Sequence, residues 1–254
     1  MNHPKNFRDR FRDGDSLGGF QLTSMSPHWP KFLKGKIDFI FIDCEHHCFS
    51  RDQVAWLCTA YRAAGIAPVV RILEPRAALV RAAIDDGAEA VVVPYVESVD
   101  QVREIAAAAK LRPIQGERAA SAMRGNPLDH EMQVVSDRHC GDVGLILQIE
   151  SETAVDRCTD LIEVHGVDGV LVGPFDLTAT LGCLNDHSNP IFIQLAKKVA
   201  HECRSAGLGA GIYFAESPEK ERKAGEWGYN LLVHGCDWSL IGEALSLRQP
   251  SGSR

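Results

Sequence analysis

Short apolar runs rich in valine, isoleucine and phenylalanine recur along the chain, separated by longer stretches in which apolar residues return every three or four positions. The runs at 17–21, 37–43, 67–72, 89–94, 144–150, 168–173, 209–214 and 229–234 predict eight strands. Most are continuously apolar rather than alternating, the pattern of strands in a parallel sheet covered by helices. The stretches between them carry helix start and stop signals. Ser50 with Gln53, and Ser98 with Gln101, have the spacing of a capping box. Asn189-Pro190 and Ser217-Pro218 each place a capping residue before a proline suited to the first helical position. Val54, Leu57, Cys58 and Tyr61 share one helical face ahead of Gly65; Phe192, Leu195, Val199 and Cys203 share another ahead of Gly207.

Eight strand–helix units in 254 residues predict a (β/α)8 barrel occupying 1–254 as one domain. An open doubly wound sheet is the competing architecture, but no glycine-rich dinucleotide turn follows the first strand. Segment 111–143 is long for a connection and predicts a functional loop or a small extra element.

Composition narrows the function classes. The formal net charge of −7 argues against a nucleic-acid partner. No apolar run is long enough to span a membrane, and the polar start has no signal-peptide core. The eight cysteines are scattered without a C-x-x-C pair, which reads as reduced thiols in a cytoplasmic protein.

In a parallel barrel the active site gathers at the carboxyl ends of the strands. Those ends carry Asp43-Cys44-Glu45-His46-His47, Arg71, Gln148 with Glu150, and Gly173-Pro174-Phe175-Asp176. Glu150 and Asp176 top neighbouring strands and suit a hard divalent cation, with room left for water and substrate. His46, three residues past Asp43, is a candidate general base held in one tautomer by that carboxylate; His47 is the weaker choice. Arg71 suits a planar oxyanion, or else an ion pair with a carboxylate such as Glu45. A tetrahedral zinc site within Cys44–Cys48 lacks a second ligand pair. None of the nine lysines falls in a predicted strand, so carbonyl chemistry here points to a metal rather than an imine.

Ile42-Asp43-Cys44-Glu45-His46, Pro68-Val69-Val70-Arg71, Asp85-Asp86-Gly87-Ala88 with Val92-Val93-Pro94, Gln148-Ile149-Glu150, and Gly166-Val167-Asp168-Gly169 leading to Gly173-Pro174-Phe175-Asp176-Leu177 follow one another along most of the chain. Together they resemble the HpcH/HpaI family, class II aldolases acting on 4-hydroxy-2-oxo acids. The resemblance implies a (β/α)8 barrel and reversible cleavage to pyruvate, or a related 2-oxo acid, and an aldehyde. It implies Glu150 and Asp176 as ligands of magnesium, manganese or cobalt, with Arg71 and Gln148 around the pyruvate oxygens. It also implies His46 with Asp43 as a base acting through water on the metal, and Gly173-Pro174 beside the pyruvate carboxylate. Asp85 matches a carboxylate that reaches a neighbouring subunit's site, in a family that is typically hexameric. Phe175, Cys44, His47, Cys48 and Thr178 depart from the family's usual residues, and bear on the aldehyde accepted rather than on the reaction type. Decarboxylation of oxaloacetate, or cleavage of a citramalyl thioester, would use the same site. The thioester reading needs cations for its phosphates, and only Arg112, Arg118 and Arg124 offer them. A barrel that binds an oxo acid without turnover is the remaining alternative.

Overall fold

The computed structural model describes residues 5–213 and 217–248, the side chain of Pro218 excepted. Eight parallel strands close into a barrel in sequence order. They are β1 (Leu17–Leu22), β2 (Phe39–Asp43), β3 (Ala67–Arg71), β4 (Ala90–Val93), β5 (Gly144–Ile149), β6 (Gly169–Val172), β7 (Gly209–Ile212) and β8 (Leu231–Cys236). Each predicted strand is present with its ends adjusted by a few residues; Phe214, predicted to end the seventh, lies outside the described residues.

Successive strand residues face opposite ways. Ile40, Ile42, Val70, Val91, Val93, Leu145 and Leu147 pack outward on the helices. Phe39, Phe41, Val69, Val92, Ile146, Leu171 and Val233 fill the barrel interior. Carried two or four residues further, the inward series delivers Gln21, Asp43, Arg71, Gln148 and Glu150 to the carboxyl-end rim. Those five are all buried.

The other end is stopped by a helix that the strand–helix pattern did not predict. Helix α1 (Phe7–Asp13) is capped by Asn6, whose side chain accepts the Asp9 N–H at 2.8 Å, and Gly14 at φ 90° ends it. Its Phe7 and Phe11 join the interior cluster. Gly169 and Gly209 make room for Phe11: a Cβ at either would collide with the ring. Asp168, fully buried at the start of β6, ties this end together. It accepts from Arg8 Nε at 2.7 Å, Arg12 Nη1 at 3.2 Å, Lys110 Nζ at 2.6 Å and the Leu145 N–H at 2.8 Å.

After α2 (Trp29–Leu33) come α3 (Arg51–Ala63), α4 (Ala77–Asp85), α5 (Val99–Lys110) and, later, α11 (Pro190–Ser205). Gln53 accepts the Ser50 N–H at 2.8 Å, so that arm of the first capping box closes. The second does not form. Gln101 instead accepts from Glu97 N–H at 3.3 Å, and Ser98 makes no side-chain cap. Asn189 and Ser217 cap their helices as predicted, accepting from Ile191 and Lys220 N–H groups. The long connection 111–143 folds into two further helices, α6 (Gly116–Met123) and α7 (His130–Cys140). Between β5 and α11 lie the short α8 (Glu152–Asp156), α9 (Cys158–Ile162) and α10 (Pro174–Thr180); α12 (Pro218–Glu226) and α13 (Asp237–Ser246) complete the chain. No helix among the described residues is long and apolar enough to cross a membrane.

Candidate active site

Asp43 is the hub of the rim. Arg71 grips it with two bonds, Nε to Oδ1 at 2.9 Å and Nη2 to Oδ2 at 2.7 Å. Gln21 Nε2 donates to Oδ2 at 2.8 Å. Oδ1 also accepts the N–H groups of Glu45 and His46, which bends the chain sharply after β2. Burial pushes the Asp43 carboxyl up, but the Arg71 bonds and charge outweigh it and hold the group below the usual carboxylate value. Burial likewise disfavours the Arg71 cation, and Asp43 more than offsets this. Arg71 lies over the Phe41 ring and reaches Gln148 Oε1 at 3.3 Å and Glu45 Oε2 at 3.0 Å. The guanidinium therefore both makes the ion pair with Glu45 and keeps a face toward the mouth.

The turn that Asp43 stabilises corrects the expected pairing of its carboxylate with the His46 ring. His46 points outward, with Nε2 3.7 Å from Glu45 Oε1, while His47, four residues past Asp43, folds back so that Nδ1 lies 3.3 Å from Asp43 Oδ2. Only the backbone of His46 bonds to Asp43. The His46 ring nonetheless lines the main cavity, whereas His47 lines a neighbouring one.

Glu150, at the end of β5, is buried among acids. It accepts the Tyr95 N–H at 2.7 Å and a bond from Gln148 Nε2. Burial, with Asp176 and Glu45 nearby, raises its carboxyl to about 7 despite those bonds. Asp176 comes from the first turn of α10, directly after Gly173. A Cβ at Gly173 would meet Gln148 Nε2 at 3.3 Å and Glu150 Cβ at 3.4 Å, so glycine keeps that wall open. Tyr95 adopts a left-handed φ of 57° and donates its phenol to Glu45 Oε1. The cavity above these groups measures about 450 Å³ and is lined by Arg71, Gln148, Gly173, Pro174, Phe175 and Asp176, together with Asn185, His187 and Tyr213.

The HpcH/HpaI aldolase/citrate lyase family profile matches residues 28–244. The chain belongs to this family. The 2-keto-3-deoxy-L-rhamnonate aldolase of Shigella sonnei is 30% identical over 95% of this chain and 91% of its own length. An HpcH/HpaI aldolase/citrate lyase family protein from Burkholderia cenocepacia superposes with a TM-score of 0.80 at 28% identity, covering 94% of this chain and 96% of that one. The citrate lyase beta subunit of M. tuberculosis, solved with oxaloacetate and magnesium, shares the fold at 17% identity and a TM-score of 0.56, over 95% of this chain and all of its own. This HpcH/HpaI protein is a carbon–carbon lyase, a class II aldolase that cleaves an oxo acid to pyruvate and an aldehyde.

The rim residues fit the divalent cation on which the family depends. Glu45 and Asp176 both act electrostatically on Glu150, while the Arg71 guanidinium is shared between Asp43 and Glu45. Glu45 Oε2 is buried and takes no hydrogen bond, its one charged neighbour among the described residues being Arg71 Nη1 at 3.0 Å. Among the described residues no group of three or more His, Cys, Asp or Glu converges as a ligand set. Glu150 and Asp176 would thus leave most of roughly six positions to water and substrate.

Asp85 is absent from this chain's own site. It ends α4, at the opposite end of the barrel, and pairs with Arg112. The strand-end reading missed Gln21, Tyr95, Asn185 and Tyr213. The inward spacing 17, 19, 21 along β1 was signal enough for Gln21. Tyr95 and Asn185 owe their places to left-handed turns that no local pattern announces.

Proposed function

We propose that the protein reversibly cleaves a 4-hydroxy-2-oxo acid to pyruvate and an aldehyde within one catalytic barrel spanning 1–254, with Glu150 and Asp176 holding magnesium, manganese or cobalt. The observation that carries this reading is the buried Glu150 carboxyl, raised to about 7 by burial and by acids that include Asp176 and bonded to Gln148, which lines the cavity together with Arg71 and Asp176. When bound, the cation supplies a Lewis acid that polarises the 2-oxo group. Arg71, fixed by Asp43, presents its remaining donor face to the negative charge that develops on the 2-oxo oxygen as C3–C4 breaks. Gln148 orients the same end of the substrate, and Gly173 with Pro174 lets the backbone approach its carboxylate. His46, on the cavity wall, takes the C4 hydroxyl proton, and Asp43 positions the turn that carries it.

The thioester alternative loses support because Arg112 and Arg124, two of its three candidate cations, are paired with Asp85 and Glu117. We also infer a homo-oligomer, hexameric by resemblance, in which the half-exposed Asp85 serves a neighbouring subunit's site. The eight unpaired cysteines suit a cytoplasmic enzyme.

The test is cleavage by Glu150→Ala and Asp176→Ala proteins with added magnesium, manganese or cobalt. We expect each to lose about a thousandfold in rate, roughly 4 kcal/mol of barrier. Undiminished cleavage in both overturns the ligand assignment. Carbon dioxide release from oxaloacetate, without aldehyde release from any hydroxy-oxo acid, would replace aldol cleavage by decarboxylation.

A further inference from the structure

Tyr95 follows β4 after Pro94 and holds φ at 57°. That region suits glycine, and a bulky side chain in it is strained. Strain of this kind persists where the surroundings hold the residue at both ends. Here both ends reach acids of the site. The Tyr95 N–H donates to Glu150 Oε1 at 2.7 Å, and the phenol donates to Glu45 Oε1. Glycine would keep the first bond without strain, so the phenol is what the tyrosine adds.

Glu45 is the carboxylate that the phenol holds. Its side chain is 5% exposed, and its charge helps to raise the Glu150 carboxyl. Arg71 Nη1 lies 3.0 Å from Oε2 without a hydrogen bond between them, and His46 Nε2 stays 3.7 Å from Oε1. Among the described residues the Tyr95 phenol therefore makes the one hydrogen bond to this carboxylate. A buried acid with an oxygen so poorly satisfied is drawn to a nearby dication. Yet Glu45, Glu150 and Asp176 do not converge as a ligand set. Arg71 is itself fixed by two bonds to Asp43, and Tyr95 supplies the other restraint on Glu45. Tyr95 is not among the residues that line the cavity, so it acts through the two acids.

We propose that Tyr95 is a positioning residue that sets the number of protein ligands on the cation. Its N–H orients Glu150, and its phenol tethers Glu45 outside the coordination sphere. The cation keeps two acidic ligands, and the position that a third would take stays open to the substrate's oxygens. The inference rests on the metal reading above and adds to it the residue that guards the open position.

The test uses Tyr95→Phe, which removes the phenolic oxygen and leaves the ring, the backbone and the Glu150 bond. Manganese affinity is measured by titration calorimetry, and the waters on bound manganese are counted by proton relaxation. Wild type, Tyr95→Phe, Glu45→Gln and the double variant are compared. In Tyr95→Phe we expect manganese to bind about fivefold more tightly and to carry a water fewer, because a third carboxylate joins the ligands. In the Glu45→Gln background the same substitution changes neither quantity, since the charge that would move is gone. Unchanged affinity and hydration in Tyr95→Phe overturn the proposal. So does weaker binding in both backgrounds, which is the mark of a phenol that only supports the fold. If Tyr95→Phe does not fold, Tyr95→Gly, which suits the positive φ and also lacks the phenol, is read in the same way. Wild type that binds no manganese, or binding that survives Glu150→Ala undiminished, overturns the metal reading and this inference together.

Discussion

Glu150 shows how a single residue is set for its task at the expense of the fold. Its carboxyl is raised from the ordinary value to about 7, first by burial and then by the neighbouring acids. An acid whose folded value lies above its unfolded one weakens the fold as pH climbs between the two. At pH 8 nearly the whole penalty is present, about 3 kcal/mol. Glu150→Gln removes the charge and keeps an oxygen for the Tyr95 N–H. We expect the metal-free variant to melt several degrees above wild type at pH 8, with the gain vanishing near pH 4, in calorimetry across that range. Manganese binding, read by titration calorimetry, is lost in the same protein. Most of the residues around Glu150 were legible in the sequence, because Asp43, Arg71 and Gln148 are polar residues at the carboxyl ends of otherwise apolar runs. The histidines were not. Which of two adjacent rings returns to Asp43 depends on a turn closed by that residue's own carboxylate, and spacing alone treats both alike.

Between elements, the eight strands were readable because burial on both faces leaves unbroken apolar runs, whereas α1 was hidden. Its two phenylalanines sit among arginines and aspartates, and only the closed barrel gives them somewhere to go. Asp168 links α1, α5 and β6 there. Burial would raise its carboxyl, but Lys110 and Arg8 pull it below the ordinary value. Lys110 is shifted down by burial, and two arginines compete with it for the one carboxylate. A depressed acid stabilises the fold above its unfolded value near 4, and that support drains away as pH falls through the lower folded value. We expect Asp168→Asn to cost about 3 kcal/mol at pH 7 by urea denaturation, since it leaves buried cations unmatched. The deficit against wild type should shrink progressively below pH 4.

At the scale of the molecule, Phe7 and Phe11 close the amino end of the barrel, and the interior above them is packed with side chains. The cavity therefore opens at the carboxyl end. Gln148 and Arg71 lie at its base, 2% and 8% exposed, while Phe175 stands at its outer edge, 55% exposed. A vessel with one neck imposes a queue. The keto acid must enter ahead of its aldehyde and cannot depart until the aldehyde has gone, so turnover is sequential by architecture rather than by affinity. Pyruvate should then inhibit cleavage competitively against the hydroxy-oxo acid and the aldehyde non-competitively; the reverse pattern in product-inhibition kinetics would mean a back door. An organism holding abundant pyruvate would by that plumbing slow the cleavage, and a stopper of two aromatic rings far from any reacting atom would be what sets the traffic.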